Sequence, residues 1–181
     1  MNYCNQCGSS VVLEIPDGDN LPRHVCHQCN IIHYVNPKVV TGTLPVWQDK
    51  ILLCKRAIEP RVGMWTLPAG FMENNETLEQ AATRESVEEA NANIKIEALY
   101  TVFSLPHISQ IYVMYRAELL DLNFAPGIES LEVKLFSEKD IPWDQLAFKT
   151  IEQTLRYYFK DRNTKTFPVY SHIIEKSNRR K

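Results

Sequence analysis

Two sets of residues in this sequence can do chemistry. Cys4, Cys7, Cys26 and Cys29 form the pattern C-x2-C-x18-C-x2-C. Each CxxC turn aims two sulfurs at one point, and two such turns close a tetrahedron. Four thiolates in that geometry suit Zn²⁺ and leave no open position for water, so the metal is structural. A redox CxxC is the competing reading. It is disfavoured because the two pairs are equivalent and neither opens a clear helix. His24, His27 and His33 lie nearby as surface or supporting groups, since four sulfurs suffice.

The second set is acidic. Residues 70–92 read GFMENNETLEQAATRESVEEANA. At roughly 100° per residue, Leu78, Ala81, Ala82 and Ala92 share one side of a helix with Glu85, Glu88 and Glu89. The spacing i, i+3, i+4 brings the three carboxylates into contact. They repel, and burying them unpaired is costly, so a cation belongs among them. An all-oxygen ligand set points to a hard ion, Mg²⁺ or Mn²⁺. Arg84 can pair with Glu88 at i+4 and orient it. Backbone carbonyls just before Gly70 can reach the same ion. The alternative is a solvated acidic face, and the small apolar residues on the same side argue against it.

The elements that position these groups follow from periodicity. Val39–Trp47 and Ile51–Lys55 predict a hairpin turned by Gln48-Asp49-Lys50. A helix is expected over 76–92, strands over 94–104, 111–120 and 131–136, and a helix over 148–162 with Phe148, Ile151, Leu155, Tyr158 and Phe159 on its apolar face. Residues 1–36 hold too few large apolar side chains for a core of their own and need a staple. Cys54, alone in an apolar strand, reads as a small buried hydrophobe. The end Arg179-Arg180-Lys181 reads as a frayed, solvated terminus.

Composition bounds the partners. The chain has 181 residues, with Lys plus Arg 20 against Asp plus Glu 22, a net charge of −2. That balance argues against a broad nucleic-acid-binding surface. No apolar run approaches the length of a membrane span, and the start MNYCNQCGSS has no secretion or transit pattern. The expectation is a cytoplasmic protein with neither membrane nor nucleic-acid partner.

Gly70, Glu76, Arg84, Glu85, Glu88 and Glu89 match the first glycine and every charged position of the Nudix box, GX5EX7REUXEEXGU. Ser86 replaces the first bulky U, Asn91 replaces the second glycine, and Ala92 is a small final U. Asn tolerates the left-handed conformation that a glycine would supply there. A four-cysteine ribbon joined through Tyr34-Val35-Asn36-Pro37-Lys38 to such a domain resembles the zinc-ribbon Nudix hydrolases. Glu14–Gly18, Leu52–Arg56, Trp65–Gly70, Phe124–Gly127, Glu129–Glu132 and Leu146–Phe148 are similar to stretches of the plant chloroplast FAD/ADP-ribose diphosphatases.

The resemblance implies an α/β fold: a Nudix α/β/α sandwich with a mixed sheet over 37–181, preceded by a zinc ribbon over 1–36. It implies hydrolysis of the diphosphate bond of a small dinucleotide. FAD would give FMN and AMP, and ADP-ribose would give AMP and ribose 5-phosphate. Glu85, Glu88 and Glu89 would hold Mg²⁺ with the Ala69 carbonyl, and Arg84 would brace the box through a carboxylate such as Glu76. Glu129 or Glu132 would be a further acid assisting water. Arg56 and Arg61 are candidates to neutralise phosphates. Trp65, Phe103 and Tyr112 are candidates to stack on a ring, although aromatics in strands are more often core. The family commonly pairs, so a homodimer is expected. Three alternatives remain: another substrate such as NADH, a ligand-sensing domain without turnover, and a ribbon-based nucleic-acid or protein adaptor.

Overall fold

The computed structural model describes residues 1–176. The basic end at 179–181 lies outside them. Contacts divide the chain into two compact units, with the boundary between Pro37 and Lys38.

The first unit is a three-stranded antiparallel ribbon of β1 (Val12–Glu14), β2 (Arg23–Cys26) and β3 (Ile31–His33), in the order β1-β2-β3. Its buried side chains are Cys4, Val25, Cys26 and His33, and all of β1 is exposed. Sulfur stands at its centre where a larger domain would have leucine.

The second unit is built on a mixed sheet. Its strands are β4 (Lys38–Trp47), β5 (Lys50–Arg56), β6 (Trp65–Thr66), β7 (Ala69–Phe71), β8 (Ile94–Leu105), β9 (Gln110–Leu119), β10 (Ser130–Phe136) and β11 (Tyr170–Ile173). The main order is β10-β5-β4-β9-β8-β11, with β6 beside β5 and β7 beside β4. The pairs β4/β9 and β8/β11 are parallel; the others are antiparallel.

Two helices, α1 (Leu78–Ala90) and α2 (Lys149–Asp161), cover opposite faces. The alternation of strand side chains shows this. Ile51, Leu53 and Met114 pack with Ile151 and Leu155 of α2. Their neighbours Leu52 and Cys54 pack with Ala90, and Val113 and Tyr115 pack with Ala82, all against α1. The expected α/β/α sandwich is the observed one.

The β4–β5 hairpin is shorter than its two strands. They pair only at Val46–Ile51 and Trp47–Lys50. Beyond that β7 takes the edge of β4 and β6 takes the edge of β5. The sheet opens between them, beside α1. Strand β11 is absent from the sequence expectation. Its residues are largely exposed, and it is held instead by pairing with β8 and by Asp161. That buried carboxylate accepts hydrogen bonds from the Tyr100 and Tyr170 hydroxyls, each at 2.8 Å.

Candidate active site and metal centres

Helix α1 starts where its cap dictates. Thr77 Oγ1 accepts from Gln80 N–H at 3.2 Å, and Gln80 Oε1 accepts from Thr77 N–H at 2.8 Å, a complete capping box. It ends at Asn91, which is left-handed with φ 46° and ψ 31°. Ser86, in place of a bulky aliphatic residue, is fully buried. Its hydroxyl donates to Ala82 O at 2.9 Å and lies 2.7 Å from Thr43 Oγ1.

Between those ends the three glutamates fare differently. Glu85 and Glu89 are buried, while the Glu88 side chain is 58% exposed. The sequence expectation put all three on the core side. At ~100° per residue Glu88 falls about 60° to the outer side of Glu85, away from Ala82, Ser86 and Glu89, which is enough to reach solvent.

Arg84 organises two of them. Its Nη1 donates to Glu85 Oε1 at 2.6 Å and to Glu88 Oε2 at 2.9 Å. Its Nε and Nη2 fork onto Glu76 at 3.1 and 2.9 Å, and Nη2 also reaches Phe71 O at 3.1 Å. The guanidinium holds the Glu76 carboxyl below its ordinary range. Gly70 lies opposite, where a Cβ would displace the Glu85 carboxylate.

Glu89 is held by none of these. Its Oε2 is buried without a hydrogen-bond partner. Burial first, and the Glu85 charge second, push its carboxyl up to about 8, while Arg56 and the Ala69 backbone pull the other way. Burial also raises Glu85, against the pull of Arg84. Buried carboxylates with an orphaned oxygen and an all-oxygen donor set fit a hard divalent cation.

The site opens into a cleft of about 1750 Å³ in the second unit. Glu85, Glu88, Glu89 and Glu129 line its acidic side, and Arg56, Arg61, Phe71, Tyr112 and Phe148 line it elsewhere. Arg56 donates Nε to Pro60 O at 2.9 Å and lies 5.2 Å over the Phe148 ring. Ala69 lies on the wall. Burial raises the Tyr112 phenol.

Other residues singled out in the sequence lie elsewhere. Trp65 is in the core, edge-on to Phe136 at 4.8 Å between centroids, and is not part of the cleft wall. Phe103 is fully buried. Glu132 is exposed on β10, 4.0 Å from Lys55, away from the cleft. Cys54 is buried, and desolvation pushes its thiol far up. The sequence did not mark Phe148 for the cleft. It sat on the helical stripe of α2, but it is the residue before the first turn, where the helical direction does not apply.

In the ribbon, the four cysteine sulfurs all lie within 4.8 Å of one another, the one such set of potential ligands among the described residues. Cys4 Sγ is 3.6 Å from Cys29 Sγ, and Cys7 Sγ is 3.5 Å from Cys26 Sγ. His33 Nε2 lies 3.3 Å from Cys4 Sγ, as a partner of the sulfur. The set fits Zn²⁺ with four thiolates.

Comparison with known proteins agrees with this architecture. Residues 2–35 match the zinc-ribbon family described as Nudix N-terminal, and residues 36–160 match the NUDIX domain. The chain therefore belongs to the Nudix family. It is 57% identical to a NUDIX hydrolase of known structure from Nitrosomonas europaea, with a TM-score of 0.94, covering 97% of this chain and 100% of that one. An ADP-ribose pyrophosphatase of Methanocaldococcus jannaschii is 30% identical over 136 residues, which is 72% of this chain and 78% of that protein. An NAD-capped RNA hydrolase, NudC, of Photobacterium profundum is 28% identical over 139 residues, and the match spans only 50% of its length.

Proposed function

We propose that this chain hydrolyses the diphosphate bond of ADP-ribose to AMP and ribose 5-phosphate in a Mg²⁺-dependent reaction, with Mn²⁺ as the alternative ion. The observation that carries this reading is the buried, unpartnered Glu89 carboxylate beside Glu85, facing a cleft large enough for a dinucleotide. The similar ADP-ribose pyrophosphatase supports the substrate. FAD, cleaved to FMN and AMP, is the second substrate, a reading that rests on the resemblance of the stretches named above to plant diphosphatases. NADH is a further candidate, supported by the NudC likeness.

Glu85, Glu88 and Glu89, with the Ala69 carbonyl, would hold the ion. Bound there, it supplies charge neutralisation of the diphosphate and a lowered pKa for water. Arg84 keeps Glu85 and Glu88 aligned along α1. Arg56, fixed by Pro60 and Phe148, neutralises a phosphate, and Arg61 stands nearby on the same wall. Tyr112 and Phe148 offer ring faces. Water adds to one phosphorus, the bridging P–O bond breaks, and the Glu129 carboxylate accepts the water's proton. Glu129 is preferred to Glu132 for this because it lines the cleft.

Cys4, Cys7, Cys26 and Cys29 hold Zn²⁺ as a structural ion, and paired CxxC thiolates on a metal suit a reducing compartment such as the cytoplasm. A homodimer goes with the family likeness, and analytical ultracentrifugation checks it. The ribbon-adaptor reading has no basic stripe to support it and leaves the carboxylate set unexplained.

The test is product analysis after incubation with ADP-ribose, FAD and NADH, with and without Mg²⁺. AMP and ribose 5-phosphate appearing only with metal, and fastest from ADP-ribose, is the expected result. Cleavage of none of the three overturns the reading.

A further inference from the structure

Asn91 stands where the Nudix pattern has glycine, and its backbone makes the left-handed turn that a glycine would make. A glycine would serve that turn at no conformational cost. The side chain does something a glycine cannot. Its Nδ2 donates to Ala125 O at 3.1 Å and to Pro126 O at 3.4 Å. Two backbone bonds lie alongside: Ala125 N–H to Ala90 O at 2.9 Å, and Gly127 N–H to Glu89 O at 3.0 Å. The last carbonyls of α1, which a helix end leaves unpaired, are thus taken up by residues 125–127. The approach is so close that a Cβ on Gly127 would collide with the Glu88 carbonyl oxygen. On the far side, the Glu129 carbonyl accepts from Ala57 N–H at 2.8 Å, and Ser130 N–H donates to Gly127 O at 3.1 Å. The segment carrying Glu129 is pinned at both ends, and the α1 end is pinned by Asn91.

We infer that Asn91 is a positioning residue: its side-chain amide clamps residues 125–126 to the end of α1 and thereby fixes Glu129 on the cleft wall with Glu85 and Glu89. The inference rests on the hydrolase reading above, in which Glu129 takes a proton from water. It has an unusual consequence. Restoring the glycine of the family pattern should slow this enzyme while leaving the helix end intact.

The experiment compares Asn91→Gly, Asn91→Asp, Glu129→Gln and the double variant Asn91→Gly/Glu129→Gln in the full chain. Glycine keeps the left-handed backbone and deletes both side-chain bonds. Aspartate keeps the shape and the backbone preference but presents no donor to the two carbonyls. With ADP-ribose and saturating Mg²⁺, both Asn91 variants should lose about 5-fold in kcat with KM held within about 2-fold. The double variant should be no slower than Glu129→Gln alone, because the effect passes through Glu129. Amide exchange at Ala125 and Gly127 should quicken about 10-fold in Asn91→Gly.

Wild-type kcat in either Asn91 variant overturns the inference, as does a double variant slowed by the product of the two single losses. Either leaves the functional reading standing. A wild-type protein that cleaves none of the dinucleotides overturns the functional reading instead. The exchange rates then decide the clamp alone: faster exchange in Asn91→Gly supports it, and unchanged exchange overturns it.

Discussion

In the ribbon, four sulfurs lie within 4.8 Å of one another, carried by two CxxC turns. On α1, three carboxylates lie along one helix, and two of them are turned to Arg84 while the third has an oxygen with no partner. Both clusters suit a divalent cation, but they are prepared to different degrees. The sulfurs converge on one point, and four thiolates fill the shell of a zinc. The carboxylates are spaced by a guanidinium and face an open cleft. A closed soft site supports a small unit that has almost no apolar core. An open hard site leaves coordination positions for substrate and water. In the function proposed above, the chemistry belongs where the protein leaves a group unsatisfied.

The largest test of that contrast is Glu89→Gln. The substitution keeps the shape and removes the unpartnered charge, so kcat should fall on the order of 10³-fold, several kcal/mol of lost charge stabilisation. The metal-free protein should be no less stable, since Gln is neutral and folding no longer has to protonate a buried carboxyl. Activity near wild type would remove Glu89 from the metal site. In the ribbon the corresponding change is Cys26→Ser. It should abolish stoichiometric zinc, measured by atomic emission, and erase amide protection across residues 4–33, because nothing else there replaces the sulfur centre. Full zinc content in that variant would refute the four-thiolate site.

The two clusters should also respond differently to pH. The Glu89 carboxyl is raised from 4.5 to about 8 in the folded chain. Folding thus favours the protonated form. Its contribution to stability is greatest below about pH 4.5, is lost as pH rises toward 8, and amounts to on the order of 5 kcal/mol. Without divalent cation, the thermal midpoint should fall between pH 5.5 and 8. Mg²⁺ competes with the proton, so it should raise the midpoint more at pH 8 than at pH 6. An equal Mg²⁺ shift at both pH values would detach Glu89 from the ion.

Much of this was legible in the sequence because spacing encodes it directly. The cysteine pairs, the helix that carries Glu85 and Glu89, and the Arg84–Glu88 pairing all follow from periodicity along one local segment. What was not legible depends on distant chain. Trp65 and Phe148 each have one apolar and one polar chain neighbour, Met64 and Thr66 for one and Ala147 and Lys149 for the other, and only the packing of Phe136 on one and the position of the other before α2 separate core from cleft. Glu129 and Glu132 are three residues apart, and the bonds from Ala57 and Gly127 decide which lies in the cleft. Strand β11 has little apolar pattern of its own, so its place depends on β8 and Asp161.

Ser86 sharpens the comparison at its smallest scale. It lies three residues before Glu89 on the same buried face, and it departs from the bulky aliphatic residue of the family pattern. Unlike Glu89 it is fully satisfied, donating to Ala82 O and meeting Thr43 Oγ1 across the gap to β4. A buried polar group with partners is structural, and one without them awaits a ligand. Thr43→Val keeps the shape and leaves Ser86 its bond to Ala82, so it should cost about 1 kcal/mol in urea denaturation. Ser86→Ala should cost a similar amount by leaving the Thr43 hydroxyl buried alone. Removing both hydroxyls together should cost less than the sum, because no orphan remains. All three variants should retain wild-type kcat, the reverse of Glu89→Gln, which should keep stability and lose turnover. Strict additivity would mean that the two hydroxyls do not depend on each other, and that Ser86 is tolerated there for its small volume alone.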